Sequence, residues 1–231
     1  MSINIYHGST KIIENPTYGT GNPHNDYGLG FYCTENIELA KEWASRVTTG
    51  GFVNCYSLDD DNLSVFDLSD SRITILMWLA LLINNRIFDI STPLAAEAKE
   101  YLLIYFLPNI SNYDIIKGYR ADDSYFTFAL DFLSSAISLH QLSHAMELGN
   151  LGEQIVFTSK KAFGKIHFTE SIPVDGKEYY AKRTAREREA RNQYFKYERN
   201  RRRNSSDIFM LDILREEMKS NDARIQRNIY T

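Results

Sequence analysis

A chain of 231 residues with 43% hydrophobic and 24% charged residues has the composition of a soluble globular protein with one domain, or one domain and an appendage. Its formal net charge of −4 gives no sign that the whole chain binds nucleic acid, and two cysteines exclude a disulfide framework. The longest apolar runs, 73–83 and 101–107, are shorter than a membrane span requires. The start of the chain lacks the basic and apolar segments of a signal peptide. We therefore expect a cytoplasmic protein that does not enter a membrane.

The first elements are predicted to be two strands separated by a long loop. Residues 3–7 (INIYH) are β-branched and aromatic, which predicts a strand. Residues 8–30 are rich in Gly, Pro, Asn and Asp and predict a loop, and a loop of this length inside a domain usually has a function. Residues 31–34 predict the second strand.

A helix, a third strand and a mostly helical segment follow. Asn36 can cap a helix over about 37–46, where apolar residues recur at helical spacing. A strand is predicted around 52–58. Residues 72–148 are then mostly helical, interrupted at 113–123 by a short strand, a glycine and an acidic pair.

The remaining strands complete a mixed fold. EQIVFTS, which begins at residue 153, and the segment 164–174 both predict strands. The order of strands, helices and strands predicts an α+β domain over 1–176 with a helical insertion at about 70–148. A basic helical extension, 177–231, is predicted to follow it.

The extension differs in charge from the rest of the chain. Residues 177–203 contain eleven Lys or Arg and four Glu. A stretch this basic, with interleaved aromatic residues, could contact phosphate backbones. It could equally be a solvated helix with internal Glu–Arg pairs, or it could dock on the acidic remainder of the chain or on a partner. Residues 207–219 predict a further amphipathic helix.

The first candidate site lies in YHGS near the start of the chain. His7 ends the first predicted strand, and its ring can donate or accept a hydrogen bond. Gly8 would let a ligand reach the backbone, and Ser9 follows it. A strand-end histidine beside a turn glycine would have the same pattern without a ligand.

The second candidate site is YGLGFYCT, residues 27–34. Gly28 and Gly30 would let the backbone approach something closely or take a positive φ angle. Tyr32, next to Phe31 at the start of a strand, could stack on a planar ring, or could be a core tyrosine at a turn.

The third candidate site is the pair Glu153 and Gln154. Successive residues of a strand face opposite sides, and the face of Gln154 is the less apolar one. This pattern favours Gln154 as the polar group that faces a cleft. His140 and His144 have a spacing that permits metal binding, but no third ligand is nearby, so we predict no metal site.

Together these motifs resemble the ADP-ribosyltransferase superfamily. YHGS, DYGLGFYCT, KEWA, YDIIKGYRADD and QIVF occur in this order over roughly residues 3–170. The pattern is similar to the branch with a His–Tyr–acid constellation, which includes diphtheria toxin and the poly(ADP-ribose) polymerases. More closely, it resembles a bacterial family of small ADP-ribosyltransferase-like proteins that are often encoded in toxin–antitoxin or phage-conflict gene pairs.

The resemblance implies a split β-sheet with an NAD⁺ cleft between its halves. His7 would bind a ribose hydroxyl, and the Gly8 backbone, with Ser9 beside it, would hold the nicotinamide carboxamide. Tyr32 would stack on nicotinamide. The loop containing Gly28 and Gly30, followed by Phe31, would pass close to the dinucleotide.

The third position of the constellation would be Gln154, or Glu153 if the strand register differs by one. The superfamily usually has Glu there, and a Gln lacks its charge, which Asp122 and Asp123 could supply. The implied function is transfer of ADP-ribose from NAD⁺ to a protein or nucleic-acid acceptor by a toxin or effector, with a cognate antitoxin protein as a possible partner. A catalytically weak module that binds NAD⁺ or a partner, and an NAD⁺ glycohydrolase, are the alternatives.

Overall fold

The computed structural model describes residues 2–46, 49–121, 123–147, 152–200 and 206–226. Three predicted features lie outside the described residues: Asp122, the side chain of Asp123, and the arginines at positions 201–203.

The chain forms two compact units, and its fold class is α+β, as predicted. Unit 1 contains Met1–Leu68, Ile110–Arg120 and Leu151–Arg188. Unit 2 contains Ser69–Asn109, Ala121–Asn150 and Glu189–Thr231. Most of the predicted insertion therefore falls in unit 2, but its segment Ile110–Arg120 belongs to unit 1, and the predicted extension is divided between the units.

Unit 1 contains two sheets. In chain order its strands are β1 (Ser2–Ser9), β2 (Phe31–Cys33), β3 (Gly51–Asp59), β4 (Val65–Asp67), β5 (Ile115–Tyr119), β6 (Glu153–Phe157) and β7 (Ile166–Val174). Sheet A has the order β1-β3-β7 and is antiparallel. Sheet B has the order β2-β6-β5-β4, with only the β4–β5 pair parallel.

Alternation along the strands places one face of each sheet in a shared core. Ile5 and Tyr56 from sheet A pack with Phe31, Ile155 and Phe157 from sheet B. These β-branched and aromatic residues recur at every second position, which is why the short strands could be predicted.

Two helices and part of a third complete unit 1. They are α1 (Ile37–Ala44), α6 (Lys160–Phe163) and the first part of α7 (Gly176–Asn200). Asn36 caps α1 as predicted, because its Oδ1 accepts hydrogen bonds from the backbone N–H groups of Glu38 (3.0 Å) and Leu39 (3.3 Å).

Unit 2 is helical. Its helices are α2 (Ile75–Asn85), α3 (Pro93–Tyr105), α4 (Asp123–Leu133), α5 (Leu139–Glu147), the end of α7, α8 (Met210–Arg215) and α9 (Ala223–Gln226). The apolar run at 73–83 forms most of α2, which is almost wholly buried. The helix predicted over 207–219 is wrong in extent: α8 ends at Arg215, and Glu217 takes a φ of 51°. Within the described residues, no helix is both long and apolar enough to cross a membrane.

Candidate functional site

Strands β1 and β2 begin to pair and then separate. The Tyr6 N–H donates to the Thr34 carbonyl at 2.8 Å, and the Thr34 N–H donates to the Tyr6 carbonyl at 3.0 Å. In a continued antiparallel pair, the next backbone hydrogen bonds would join Gly8 to Tyr32. In the described part of the chain, however, Tyr6–Thr34 is the only bridge between these two strands. Instead, His7 Nδ1 lies 2.7 Å from the Tyr32 carbonyl oxygen.

The backbone of Gly8 faces this opening. Backbone N–H and C=O groups of a strand point to opposite edges at successive residues, so those of Gly8 point to the same edge as those of Tyr6. The edge of β1 beyond Tyr6 therefore presents one donor and one acceptor where β2 has turned away.

The surroundings of His7 favour its neutral form. Burial lowers its pKa, and the hydrogen bond to the Tyr32 carbonyl opposes this only in part. Because a carbonyl can only accept, Nδ1 carries the proton, and Nε2 is left as an acceptor. The ring stacks on Phe31 with centroids 4.4 Å apart, which fixes its orientation.

Gly8 is required by the packing of α1. A Cβ atom there would lie 2.1 Å from the Ala40 carbonyl oxygen and 2.7 Å from the Ala44 nitrogen. It would also lie 2.8 Å from the Cβ of Trp43, so α1 covers this face of β1 at Gly8. The indole Nε1 of Trp43 is buried and has no hydrogen-bond partner among the described residues.

The backbone conformation and the packing of the protein itself explain both glycines of YGLGFYCT. Gly28 has a φ of 78°, which favours glycine. A Cβ at Gly30 would lie 2.6 Å from Val156 Cγ1 and 2.9 Å from the Phe157 carbonyl oxygen. The backbone at Gly30 therefore approaches β6.

The hydroxyl of Tyr32 secures the loop in front of it. It accepts a hydrogen bond from the Tyr27 N–H at 3.1 Å and donates one to the Gly28 carbonyl at 2.7 Å. A role that uses only the face of the ring would not need these bonds, so the hydroxyl has a structural function of its own.

Gln154 is buried behind the same loop. It is 5% exposed, and its Nε2 donates to Asp26 Oδ2 at 2.7 Å. Tyr27 donates from its hydroxyl to the Tyr119 carbonyl at 2.6 Å and covers Gly118, the strand partner of Gln154. The less apolar face that favoured Gln154 is thus covered by this loop, and Gln154 holds the loop in place.

Glu153 lies on the opposite face of β6 and at a groove. Its side chain is 43% exposed, and a carboxylate oxygen lies 3.4 Å from Lys117 Nζ. Burial alone would lower the pKa of Lys117, but the nearby carboxylates of Glu153 and Glu35 raise this pKa overall. The groove has a volume of about 480 Å³ and is also lined by Thr34 and Ile37.

The predicted residues converge in part. His7, Gly8 and Tyr32 meet at the opening, and Ser9 closes β1, where its Oγ accepts from the Lys11 N–H at 3.2 Å. The ring of Tyr32, however, lies on the same face of sheet B as Gln154. Tyr32 pairs with Val156, and Val156 is two residues after Gln154 on β6, so all three side chains share that face. His7 stacks on Phe31 and reaches only the backbone of Tyr32, so the rings of His7 and Tyr32 leave on opposite sides.

Sequence reasoning missed the residues that organise the loop. Asp26, Tyr27 and Tyr119 were not predicted, although an acidic and an aromatic residue directly before Gly28 were a usable signal. The buried Asn54 was also missed. It accepts from the Ile13 N–H at 2.8 Å and donates to the Lys11 carbonyl at 3.1 Å, which anchors the chain after β1.

Metal ligands do not converge at the opening. In the part of the chain that the structure describes, three possible ligands come together only at Asp59, Asp60 and Asp61, at the end of β3, where two of them are exposed.

One comparison with known proteins gives a match. The profile of a family described as protein of unknown function (DUF3990) matches residues 3–168. This match covers β1 to the first part of β7 and stops before α7. No curated protein and no solved structure matches the chain.

Proposed function

The chain belongs to the DUF3990 family of proteins of unknown function, and we propose that it is an ADP-ribosyltransferase that transfers ADP-ribose from NAD⁺ to a macromolecular acceptor. The observation that carries the proposal is the opening between β1 and β2. There the His7 side chain binds the Tyr32 carbonyl in place of a backbone hydrogen bond between the strands, beside the backbone groups of Gly8. The ordered motifs that resemble the His–Tyr–acid branch support it. In this proposal the two sheets are the halves of a split sheet, and NAD⁺ enters where they separate.

The groups at the opening fit the nicotinamide riboside of NAD⁺. A carboxamide offers one donor and one acceptor side, which match the C=O and N–H groups of Gly8. Trp43, whose Cβ lies next to Gly8, has a buried indole N–H without a hydrogen-bond partner among the described residues. The neutral His7 has Nε2 left to accept from a ribose hydroxyl. The ring of Tyr32 lies on the opposite face of β2 from His7, so in this proposal Tyr32 contributes its backbone at the opening and not a stacking ring.

Glu153 is the better candidate for the acidic position. Cleavage breaks the bond between the nicotinamide nitrogen and the ribose C1′, and the electron pair leaves with nicotinamide. A carboxylate stabilises the positive charge that develops on the ribose, and an amide cannot do so to the same degree. Glu153 is accessible at a groove, whereas the amide of Gln154 is engaged with Asp26. The acceptor nucleophile then bonds to C1′ and loses its proton.

Lys117 supports the second candidate, a catalytically weak module that binds NAD⁺ or a partner. Its ammonium group lies 3.4 Å from Glu153 and partly offsets the charge that would favour cleavage. The NAD⁺ glycohydrolase alternative differs only in using water as the acceptor. In the proposed biological role, a toxin or effector, a cognate antitoxin protein would be the inhibitor.

Release of free nicotinamide from NAD⁺ tests the proposal. We expect release by the wild-type protein and a loss of about 10²-fold or more in Glu153→Gln, because that change removes the charge and keeps the shape. Glu170→Gln, an exposed position on β7, is the matched control and should be neutral. NAD⁺ binding by calorimetry should be similar in all three proteins.

The other outcomes separate the candidates. Binding without release would leave a binding module. Free ADP-ribose with no labelled macromolecule would indicate a glycohydrolase. A wild-type protein that neither binds nor cleaves NAD⁺ would overturn the proposal.

A further inference from the structure

The first part of α7 packs on α1, the helix that carries Trp43. The Tyr179 hydroxyl donates to Glu38 Oε2 at 3.1 Å, and the Arg186 guanidinium is paired with Glu42 in a largely buried contact. The ring of Tyr179 lies under the ammonium group of Lys182, at 4.2 Å. This part of the extension is therefore a fixed portion of unit 1, although the family match ends before it.

These helices form a surface with an excess of positive charge. We define the α1–α7 surface as residues 37–46 and 175–188 together with Arg120, whose guanidinium lies 5.5 Å from the centroid of the Trp43 ring. It contains eight Lys or Arg and five Asp or Glu, a formal charge of +3 in a chain of −4.

The acidic residues of this surface are already engaged within it. Each of the four glutamates is paired with a Lys or Arg of the same surface: Glu38 with Lys41, Glu42 with Arg186, Glu178 with Lys182, and Glu187 with Arg183. Asp175 accepts from the backbone N–H groups of Lys177 and Glu178. The acidic groups therefore do little to repel an incoming anion.

One side of this part of α7 carries a basic residue at each end. Lys177, Tyr180, Thr184 and Arg188 follow one another at intervals of three or four residues, so they lie along one side of the helix over about 16 Å. All four are exposed. Among the described residues, no carboxylate pairs with Lys177 or Arg188.

We propose that the α1–α7 surface docks single-stranded nucleic acid and so presents it to the opening as the acceptor of ADP-ribose. Lys177 and Arg188 would contact phosphates, and Tyr180, which is 37% exposed, would stack on a base. A single strand fits better than a duplex because the bases of a duplex are stacked on one another and are not open to Tyr180. The same surface includes Trp43, whose Cβ lies next to Gly8.

The docking itself does not depend on the proposed function, whereas the role as acceptor does. Nucleic-acid binding is therefore measured without NAD⁺, and nicotinamide release is measured separately. Failure of release alone would leave the docking surface intact as an inference. Failure of binding alone would leave a transferase with a different acceptor.

The binding experiment uses the full chain and a short fluorescent oligoribonucleotide of mixed sequence, followed by anisotropy over a range of salt concentrations. An oligodeoxyribonucleotide and a duplex of the same sequence are the other two arms. The double variant Lys177→Glu with Arg188→Glu removes two phosphate contacts, and each contact contributes about 0.7 to the slope of log affinity against log salt for single strands. We expect the slope to fall by about 1.4 and nicotinamide release to remain unchanged.

A matched double variant controls for net charge. Arg215→Glu with Lys219→Glu makes the same change in charge at exposed positions of unit 2 and should bind like the wild-type protein. Tyr180→Ala should weaken binding about tenfold, and Tyr180→Phe should restore it, because stacking needs only the ring. An equal loss in both double variants, tighter binding of the duplex, or an affinity that does not change with salt would overturn the inference.

Discussion

Replacing Gln154 by glutamate would place a second carboxyl group against Asp26, and the two accounts of Gln154 predict opposite results for this change. If Gln154 occupied the third catalytic position, Gln154→Glu would restore the acid of the superfamily and raise NAD⁺ turnover. If it braces the 26–28 loop, as the structure indicates, the same change would destabilise the protein. The two groups are each 5% exposed and 2.7 Å apart, so they cannot both be ionised.

The size of the effect follows from the contact that is lost. A hydrogen bond to a charged group contributes about 1.5–3 kcal/mol, and the variant must also bind a proton to remain folded at neutral pH. We expect a loss of about 3 kcal/mol in the free energy of unfolding. For a chain of this length that corresponds to a fall of about 6–12 °C in Tm.

The pH dependence has a definite sign. Sharing one proton raises the pKa of the carboxyl pair in the folded state above its unfolded value. The destabilisation is therefore present at neutral pH and disappears as the pH falls toward the unfolded value of about 4. Thermal unfolding followed by circular dichroism at neutral pH and at pH ~5 should show the difference in Tm narrowing as the pH falls.

Gln193→Glu is the matched control. Gln193 Nε2 also donates to a carboxylate, Glu189 Oε1, at 2.9 Å, but both side chains are exposed on α7. Water screens that pair, so the cost should be only about 0.5 kcal/mol. Equal losses in the two variants, or an unchanged Tm in Gln154→Glu together with faster nicotinamide release, would refute the argument.

Two further predictions concern Gly8 and His7. Gly8→Ala should lower the free energy of unfolding in urea by about 1–3 kcal/mol, because the added Cβ would lie 2.1 Å from the backbone of α1. Gly164→Ala is the control and should be nearly neutral, because its Cβ would have no neighbour closer than 3.5 Å. Equal stability of the two variants would contradict the packing argument. Because burial lowers the pKa of His7 from 6.5, the unfolded state takes up a proton first, so the wild-type protein should lose stability as the pH falls from neutral through 6.5 and below. His7→Gln should reduce this loss and His167→Gln, at an exposed position, should not, and identical pH profiles of the two variants would show that His7 is not its source.

Local features of the sequence were enough to predict many elements. The alternation in INIYH and EQIVF, the cap at Asn36 and the apolar run of α2 each act within a few residues of the chain. The helix predicted over 207–219 shows the limit of this reasoning. Its apolar spacing is helical, but the backbone at Glu217 takes a positive φ angle, and no residue pattern near it indicated that turn.

The ordered motifs of the sequence predicted that His7, Tyr32 and Gln154 belong to one site. The sequence could not decide between Gln154 and Glu153. Which of the two side chains is buried depends on which face of β6 is covered, and Asp26, which covers the face of Gln154, is 128 residues away in the chain. Strand register and the path of a long loop are set by contacts that no local pattern contains.

The C-terminal extension gives the same contrast. Its charge was visible in the sequence, but docking on the rest of the chain was only one of several alternatives that the sequence left open. The pairing of Arg186 with Glu42 joins residues 144 apart and turns one side of α7 toward α1. Lys177 and Arg188 are left on an outer face by that contact. The sequence by itself determined how much positive charge the helix carries, and the tertiary structure decided which of those charges face outward, because burial of one helix face depends on the surface that it meets.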